Sequence, residues 1–179
     1  TAVGPGRAII MGDSATVMQS QDGRTWTGLK EGVAAYVLGV GWTGDRFLAV
    51  NKEGVVLCSL DGLAWGKVKL DLRGLALKRV RWVNGALVGV GYGGLMVRTR
   101  DGLEWEQIPI PTTDALNDIA WGDGTYVAVG DRGAVLLSED GREWRIRRTS
   151  DPGDFRAVTF GNHTFIAVNR NAIWSRHGE

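Results

Sequence analysis

Cysteine and proline are scarce in this chain, and there is no excess charge of either sign. A single thiol, Cys58, excludes an intrachain disulfide framework and leaves the redox compartment unread. Only 4 prolines and 2 histidines occur in 179 residues. With no second His or Cys at ligand spacing, neither His163 nor His177 suggests a metal site. Lys and Arg number 21 against 20 Asp and Glu, a formal charge of +1. No long-range positive field would therefore gather the phosphates of a nucleic acid. Nor does any polybasic cluster point to a membrane surface, and no apolar run nears the ~20 residues of a helical span. The expectation is a globular chain with no cofactor, no metal, no nucleic-acid partner and no membrane insertion.

Glycine and tryptophan are what the chain does hold, 27 and 8 of them. Glycine at this density, without the every-third-residue period of collagen, implies many tight turns. Laying the chain on itself shows why. Trp26, Trp65, Trp105 and Trp144 are spaced by 39, 40 and 39 residues, and Trp42, Trp82, Trp121 and Phe160 by 40, 39 and 39. Two interlocked series with one period, made of strands and turns, point to propeller blades rather than helical solenoids.

The fourth unit is the clearest. Its short apolar runs Leu116 to Trp121, Tyr126 to Gly130, Val135 to Ser138 and Trp144 onward are bounded by Gly or Asp, the pattern of strands. We label these strands a, b, c and d. The units fall at about 1–31, 32–72, 73–112, 113–151 and 152–179, taken together as one domain. The fifth aligns if its b–c turn has lost two residues, and it has no strand d. Both faces of the strands are apolar or small, as expected when each blade is covered on both sides. Strand b repeatedly carries a small residue (Ala49, Gly89, Ala128, Ala167), suiting the crowded inner part of a tapering blade. The fold class expected is all-β: a β-propeller of about five four-stranded blades, the last incomplete.

At the c–d turn of four units the sequence reads Ser/Thr-x-Asp-Gly-x-x-Trp. The instances are Ser20-Asp22-Gly23-Trp26, Ser59-Asp61-Gly62-Trp65, Thr99-Asp101-Gly102-Trp105 and Ser138-Asp140-Gly141-Trp144. Short Asp and Ser side chains accept bonds from turn amides, and Gly takes a conformation a side chain resists. Ser175-Arg176-His177-Gly178 reads as a fifth, degenerate copy. This motif resembles the Asp-box, or bacterial neuraminidase repeat, in the shortened form of bacterial propellers related to the photosystem II assembly and stability factor. The resemblance covers essentially the whole chain. It implies that the motif is a structural turn on the face opposite the ligand site, and it favours a location outside the bacterial cytoplasm.

Candidate sites weigh unevenly. The four motif aspartates sit a blade apart, so no two converge on one ion or one glycosidic bond. A sialidase would need an arginine triad and a tyrosine nucleophile. Of Tyr36, Tyr92 and Tyr126, the last falls at an apolar strand position beside Phe47 and Phe165 and reads as core. Cys58 reads as a strand filler. Arg142, Arg145, Arg147, Arg148 and Arg156 form the main charge concentration, read as a solvated outer strand that discourages edge pairing. No catalytic residue is assigned.

The opposite face, built from b–c turns and d–a connections, is where the copies diverge most. Its b–c turns carry Asp13-Ser14, Asn51-Lys52, Tyr92-Gly93, Asp131-Arg132 and Arg170-Asn171, and its connections include 70–73 and 150–154. Varied polar residues on a repeated frame are where binding normally resides. We expect ligand contacts at Lys52, Tyr92, Arg132 and Arg170, the ligand being a protein, a peptide or a glycan. Two functions follow: a non-catalytic binding or assembly scaffold for a protein or peptide, or a carbohydrate-binding or sialidase-like module.

Overall fold

The computed structural model describes every residue except 13–15, 30–35, 70–76, 151, 171–172 and 178–179. Asp13-Ser14, the 70–73 connection, Asp151, Asn171 and Gly178 thus lie outside the described residues.

Runs of Val, Leu, Ile and Phe between Gly-rich turns form five antiparallel sheets, each following chain order. The first comprises β1 (Ala2–Gly4), β2 (Arg7–Met11), β3 (Val17–Ser20) and β4 (Thr27–Gly28). The second comprises β5 (Val37–Trp42), β6 (Phe47–Asn51), β7 (Val55–Ser59) and β8 (Gly66–Lys69). In the third are β9 (Leu77–Val83), β10 (Ala86–Gly91), β11 (Met96–Thr99) and β12 (Glu106–Gln107). The fourth holds β13 (Leu116–Gly122), β14 (Thr125–Gly130), β15 (Ala134–Ser138) and β16 (Arg145–Arg148). The fifth has three strands, β17 (Ala157–Gly161), β18 (Thr164–Val168) and β19 (Ile173–His177). Among the described residues the helical content is one short 3-10 turn, Tyr92–Gly94.

Register tracks the repeat. Phe47 faces Ser59, Leu87 faces Thr99, and Tyr126 faces Ser138. The fifth sheet departs from the expected alignment. Phe165 faces Arg176, and Ser175 sits opposite Ile166. Its b–c turn is therefore one residue shorter than that of the fourth sheet, where Val129 faces Val135, rather than two. Arg176, not Ser175, takes the place of the motif serine, because pairing of the apolar β18 residues outranks the weak Ser-x-His-Gly echo.

First strands of consecutive sheets touch one another, β1 with β5, β5 with β9, β9 with β13 and β13 with β17. They converge on one axis, and the fourth strands lie outermost. Four apolar layers fill the spaces between neighbours. Leu48, Val50 and Val56 of the second sheet meet Leu77, Val80, Leu87 and Val97 of the third. Val88, Val90 and Met96 meet Leu116, Ile119, Tyr126 and Ala128 of the fourth. Val127, Val129 and Val135 meet Phe155, Val158, Phe165 and Ala167 of the fifth. Each such buried aliphatic or aromatic side chain is worth about 1.5–3 kcal/mol. No comparably extensive contact joins the first and fifth sheets among the described residues, so the five blades form an arc.

The repeated tryptophans are not equally deep. Trp144 is buried, whereas Trp26, Trp65 and Trp105 are half-buried. Trp144→Ala should cost about 3–5 kcal/mol in chemical denaturation. The exposed Lys67→Ala should stay within about 0.5 kcal/mol of wild type. Equal midpoints for the two variants would show that Trp144 is not part of the interblade packing.

Candidate functional site

Antiparallel order decides which loops share an end of the propeller. The a–b and c–d turns lie at one end, the b–c turns and d–a connections at the other. The two ends differ in kind.

At the first end one arrangement recurs four times. In the fourth blade, Ser138 Oγ accepts the Gly141 N–H at 2.8 Å and donates to Asp140 Oδ1 at 3.0 Å. The same oxygen of Asp140 accepts the N–H groups of Arg142 and Glu143 at 2.8 and 2.9 Å. Asp22, Asp61 and Asp101 repeat this pattern with Ser20, Ser59 and Thr99. The glycine is required twice over. Gly102 has φ +79°, and a Cβ there would stand 2.5 Å from Leu48 Cδ2 in the preceding blade. These aspartates spend their lone pairs on their own turns. Backbone N–H groups hold the Asp22, Asp61, Asp101 and Asp140 carboxyls below the usual carboxylate range.

The other end is heterogeneous. Lys52 Nζ lies 3.6 Å from the centroid of the exposed Tyr36 ring on the second blade. Tyr92, exposed on its 3-10 turn, lies under Lys78 Nζ at 4.7 Å, and that ammonium is 4.0 Å from Asp131 Oδ1. Asn117 donates from Nδ2 to Asp131 and to the Phe155 carbonyl, both at 2.7 Å. Arg132, next in the turn, has φ +56°, pairs with Asp114, and donates its N–H to Asp154 Oδ1 at 3.1 Å. The Asp114 side chain is 1% exposed and also meets Arg148 Nη2 at 2.5 Å. Arg156 Nη2 reaches Asp154 Oδ2 at 3.3 Å, and both line a shallow depression with Arg170 and Asn169.

Of the four residues expected from sequence, Tyr92 and Arg132 thus lie on one run of charged contacts across the third to fifth blades, and Arg170 lines the depression at its end. Lys52 is held separately, over Tyr36. The sequence reading missed Lys78, Asp114 and Arg148 as parts of this surface. Arg148 lies on the exposed outer strand β16, as read from sequence, and from there it also reaches Asp114 and the Arg132 carbonyl. The rest of that arginine run is interspersed with acids. Arg145, Arg147 and Arg176 line a groove with Glu139, Asp140 and Glu143, and Arg142 reaches Glu106 at 3.4 Å.

Nearer the axis is a second feature that sequence reasoning missed. Asp118, with no exposed surface, takes a two-pronged bond from Arg81 (Nε to Oδ1 2.9 Å, Nη2 to Oδ2 2.8 Å). It also accepts the Val158 N–H at 3.1 Å. One carboxylate therefore ties the first strands of three consecutive blades, β9, β13 and β17. The pairing holds the Arg81 guanidinium more firmly protonated than usual. Three signals were present in the sequence: charges at Arg79, Arg81 and Asp118, where other copies carry Gly39, Gly41 and Ala157.

The remaining candidates are accounted for locally. Tyr126 is buried and its hydroxyl accepts Asn84 Nδ2 at 2.7 Å. His163 Nδ1 lies 2.8 Å from Asp123 Oδ2 at the Asp-Gly end. Cys58 is half-buried in β7. Among the described residues no three His, Cys, Asp or Glu side chains converge as a metal would need.

No family model matches the chain, and no curated protein matches it. Solved structures do. YCF48 bound to D1 peptide aligns at 17% identity and TM-score 0.69, over 94% of this chain and 62% of that one. YCF48 from Cyanidioschyzon merolae aligns at 14% identity and TM-score 0.70, over 98% and 64%. Virginiamycin B lyase from Staphylococcus aureus aligns at 13% identity and TM-score 0.74, over 99% and 68%. These are β-propellers, and the likeness is one of fold. This chain spans less than two thirds of the length of the two YCF48 structures.

The Asp-Gly turns generate an acid-side prediction. Their folded pKa values lie below the unfolded value of about 3.9, so their stabilisation is complete above about pH 5 and is lost progressively as pH falls through that value and the lower folded ones. The wild-type Tm should drop between about pH 5 and pH 2 more steeply than that of the Asp61→Asn/Asp101→Asn/Asp140→Asn variant. Parallel Tm curves for the two proteins would show that these carboxylates are not held by their turns.

Proposed function

We propose that this propeller is a non-catalytic binding scaffold for a protein or peptide segment, seated on the b–c and d–a end. The observation that carries the reading is the chain of contacts from Tyr92 and Lys78 through Asp131 and Arg132 to Asp154, which lines a depression together with Arg170. Cations over aromatic rings and guanidinium–carboxylate pairs are recognition chemistry, suited to charged and polar groups of a peptide. Tyr92 and Arg132 stand on short turns between paired strands, which limits the ordering needed on binding. One of the fold neighbours was solved with a peptide bound, which supports the same use of the frame here.

The test exposes the protein to an array of short peptides of varied charge and to a glycan array. Peptides are expected to be captured and glycans not. For the captured peptide, Lys52→Ala/Tyr92→Ala/Arg170→Ala should weaken Kd about tenfold or more with an unchanged circular dichroism spectrum. Arg145→Ala/Arg147→Ala should bind as wild type. Capture of glycans alone would favour the carbohydrate-binding reading. Loss of binding in the outer-strand variant alone would move the site.

A further inference from the structure

The ion pairs at the b–c and d–a end are unequal in kind. Lys78 faces one carboxylate, Asp131, and Arg156 faces one, Asp154. Asp114 takes two cations at once: Arg132 Nη2 meets its Oδ1 and Arg148 Nη2 meets its Oδ2. The three side chains also differ in depth. That of Asp114 is 1% exposed, whereas those of Arg132 and Arg148 are 70% and 50% exposed. The carboxylate lies underneath, and the two guanidiniums are what a ligand meets. Each member is set by its backbone. The Asp114 N–H donates to Thr112 Oγ1 at 3.0 Å, and the carbonyl of the next residue, Ala115, accepts the Asp131 N–H at 2.9 Å. Arg148 is paired with Ala134 in the sheet, and its Nη1 donates to the Arg132 carbonyl at 3.1 Å. Arg132 has φ +56° at the turn position that Gly93 fills with φ +66° in the third blade. The turn thus holds an arginine in a conformation that glycine adopts more readily, and such positions cluster at ligand sites.

We infer that Arg132 and Arg148 together receive one carboxylate of the bound peptide, and that Asp114 is the positioning residue that holds the two guanidiniums for it. The inference rests on the reading of this end as the peptide site. Two cations around one sunken anion leave a net positive charge facing solvent, and a second carboxylate matches it. Guanidiniums take carboxylates through paired N–H donors, with a geometry that a lysine ammonium does not reproduce. Asp114 already restrains both side chains, and the Arg132 carbonyl restrains Arg148 further, so less rotamer freedom remains to be lost on binding.

The probes are two matched arrays of short synthetic peptides, identical except that every Asp and Glu of one is Asn or Gln in the other. Each array is made with free and with amidated C-termini. Replacing one acid by its amide, or amidating the C-terminus, should weaken Kd about tenfold or more, and whichever does so identifies the carboxylate that is read. Arg148→Ala should weaken binding of the acidic peptide by a similar factor, yet bind the neutralised peptide as wild type does. Asp114→Asn raises the net charge of the protein by one, so attraction by charge alone would tighten binding. With the guanidiniums released, it should instead weaken Kd about fivefold or more. Asp45→Asn, which makes the same change of charge at the Asp-Gly end, should stay within about twofold of wild type. Arg148 lies on the exposed outer strand, so its alanine variant decides the matter even if melting curves show that Asp114→Asn does not fold. Captured peptides that lose nothing when their carboxylates are neutralised would overturn the inference and leave the binding scaffold standing. So would unchanged binding of the acidic peptide by Arg148→Ala, or tighter binding by Asp114→Asn. Capture from neither array would overturn both readings.

Discussion

The structure depends on one contact made four times, in which the branched forward face of a blade packs on the smaller or aromatic backward face of the next. A single four-stranded sheet of 39 residues has two apolar faces and no interior of its own. Stacking covers both faces of the second, third and fourth blades, and the most buried side chains, such as Leu48, Leu57, Leu87, Leu136 and Phe165, all belong to these layers. The requirement explains why strand b alternates large with small residues. Val88 and Val90 push forward, while Gly89 and Ala128 give way behind.

The two ends of the propeller follow from what that frame demands of each. At the Asp-Gly end every blade must reverse direction while lying close to its predecessor, and the same Ser–Asp–Gly hydrogen bonds solve the problem each time. At the other end the b–c turns keep one length in the first four blades but differ in sequence. Evolution was free to place Tyr92, Lys78, Arg132 and Arg170 there, with carboxylates to position them. Asp118 sits between the two regimes. Its bonds to Arg81 and the Val158 N–H add a polar tie across three inner strands that the apolar layers already hold together. A buried carboxylate is tolerated at this point because the guanidinium and the amide satisfy it.

Fold and repeat were legible in the sequence because they are written in spacing. Strand positions read in the fourth unit agree with the structure to within one residue, as for Leu116 to Trp121 against β13 (Leu116–Gly122). The fifth blade was read less well, since its deleted turn residue leaves no repeated landmark and only the pairing of Phe165 with Arg176 sets the register. At the candidate site the turn residues could be listed from divergence alone. Their partners could not, because Lys78, Asp114 and Arg148 come from strand starts, connections and strand ends that touch the b–c turns only in space. The burial of Asp114 between two arginines has no local sequence signal.

If stacking is what holds each blade, protection should follow the number of covered faces rather than local composition. Native-state hydrogen exchange of residues 1–179 measures this directly. The account predicts the slowest exchange in the b strands β6, β10 and β14, whose blades are covered on both sides, and clearly faster exchange in β2 and β18. Equal protection in β14 and β18, which share nearly the same apolar sequence, would contradict it.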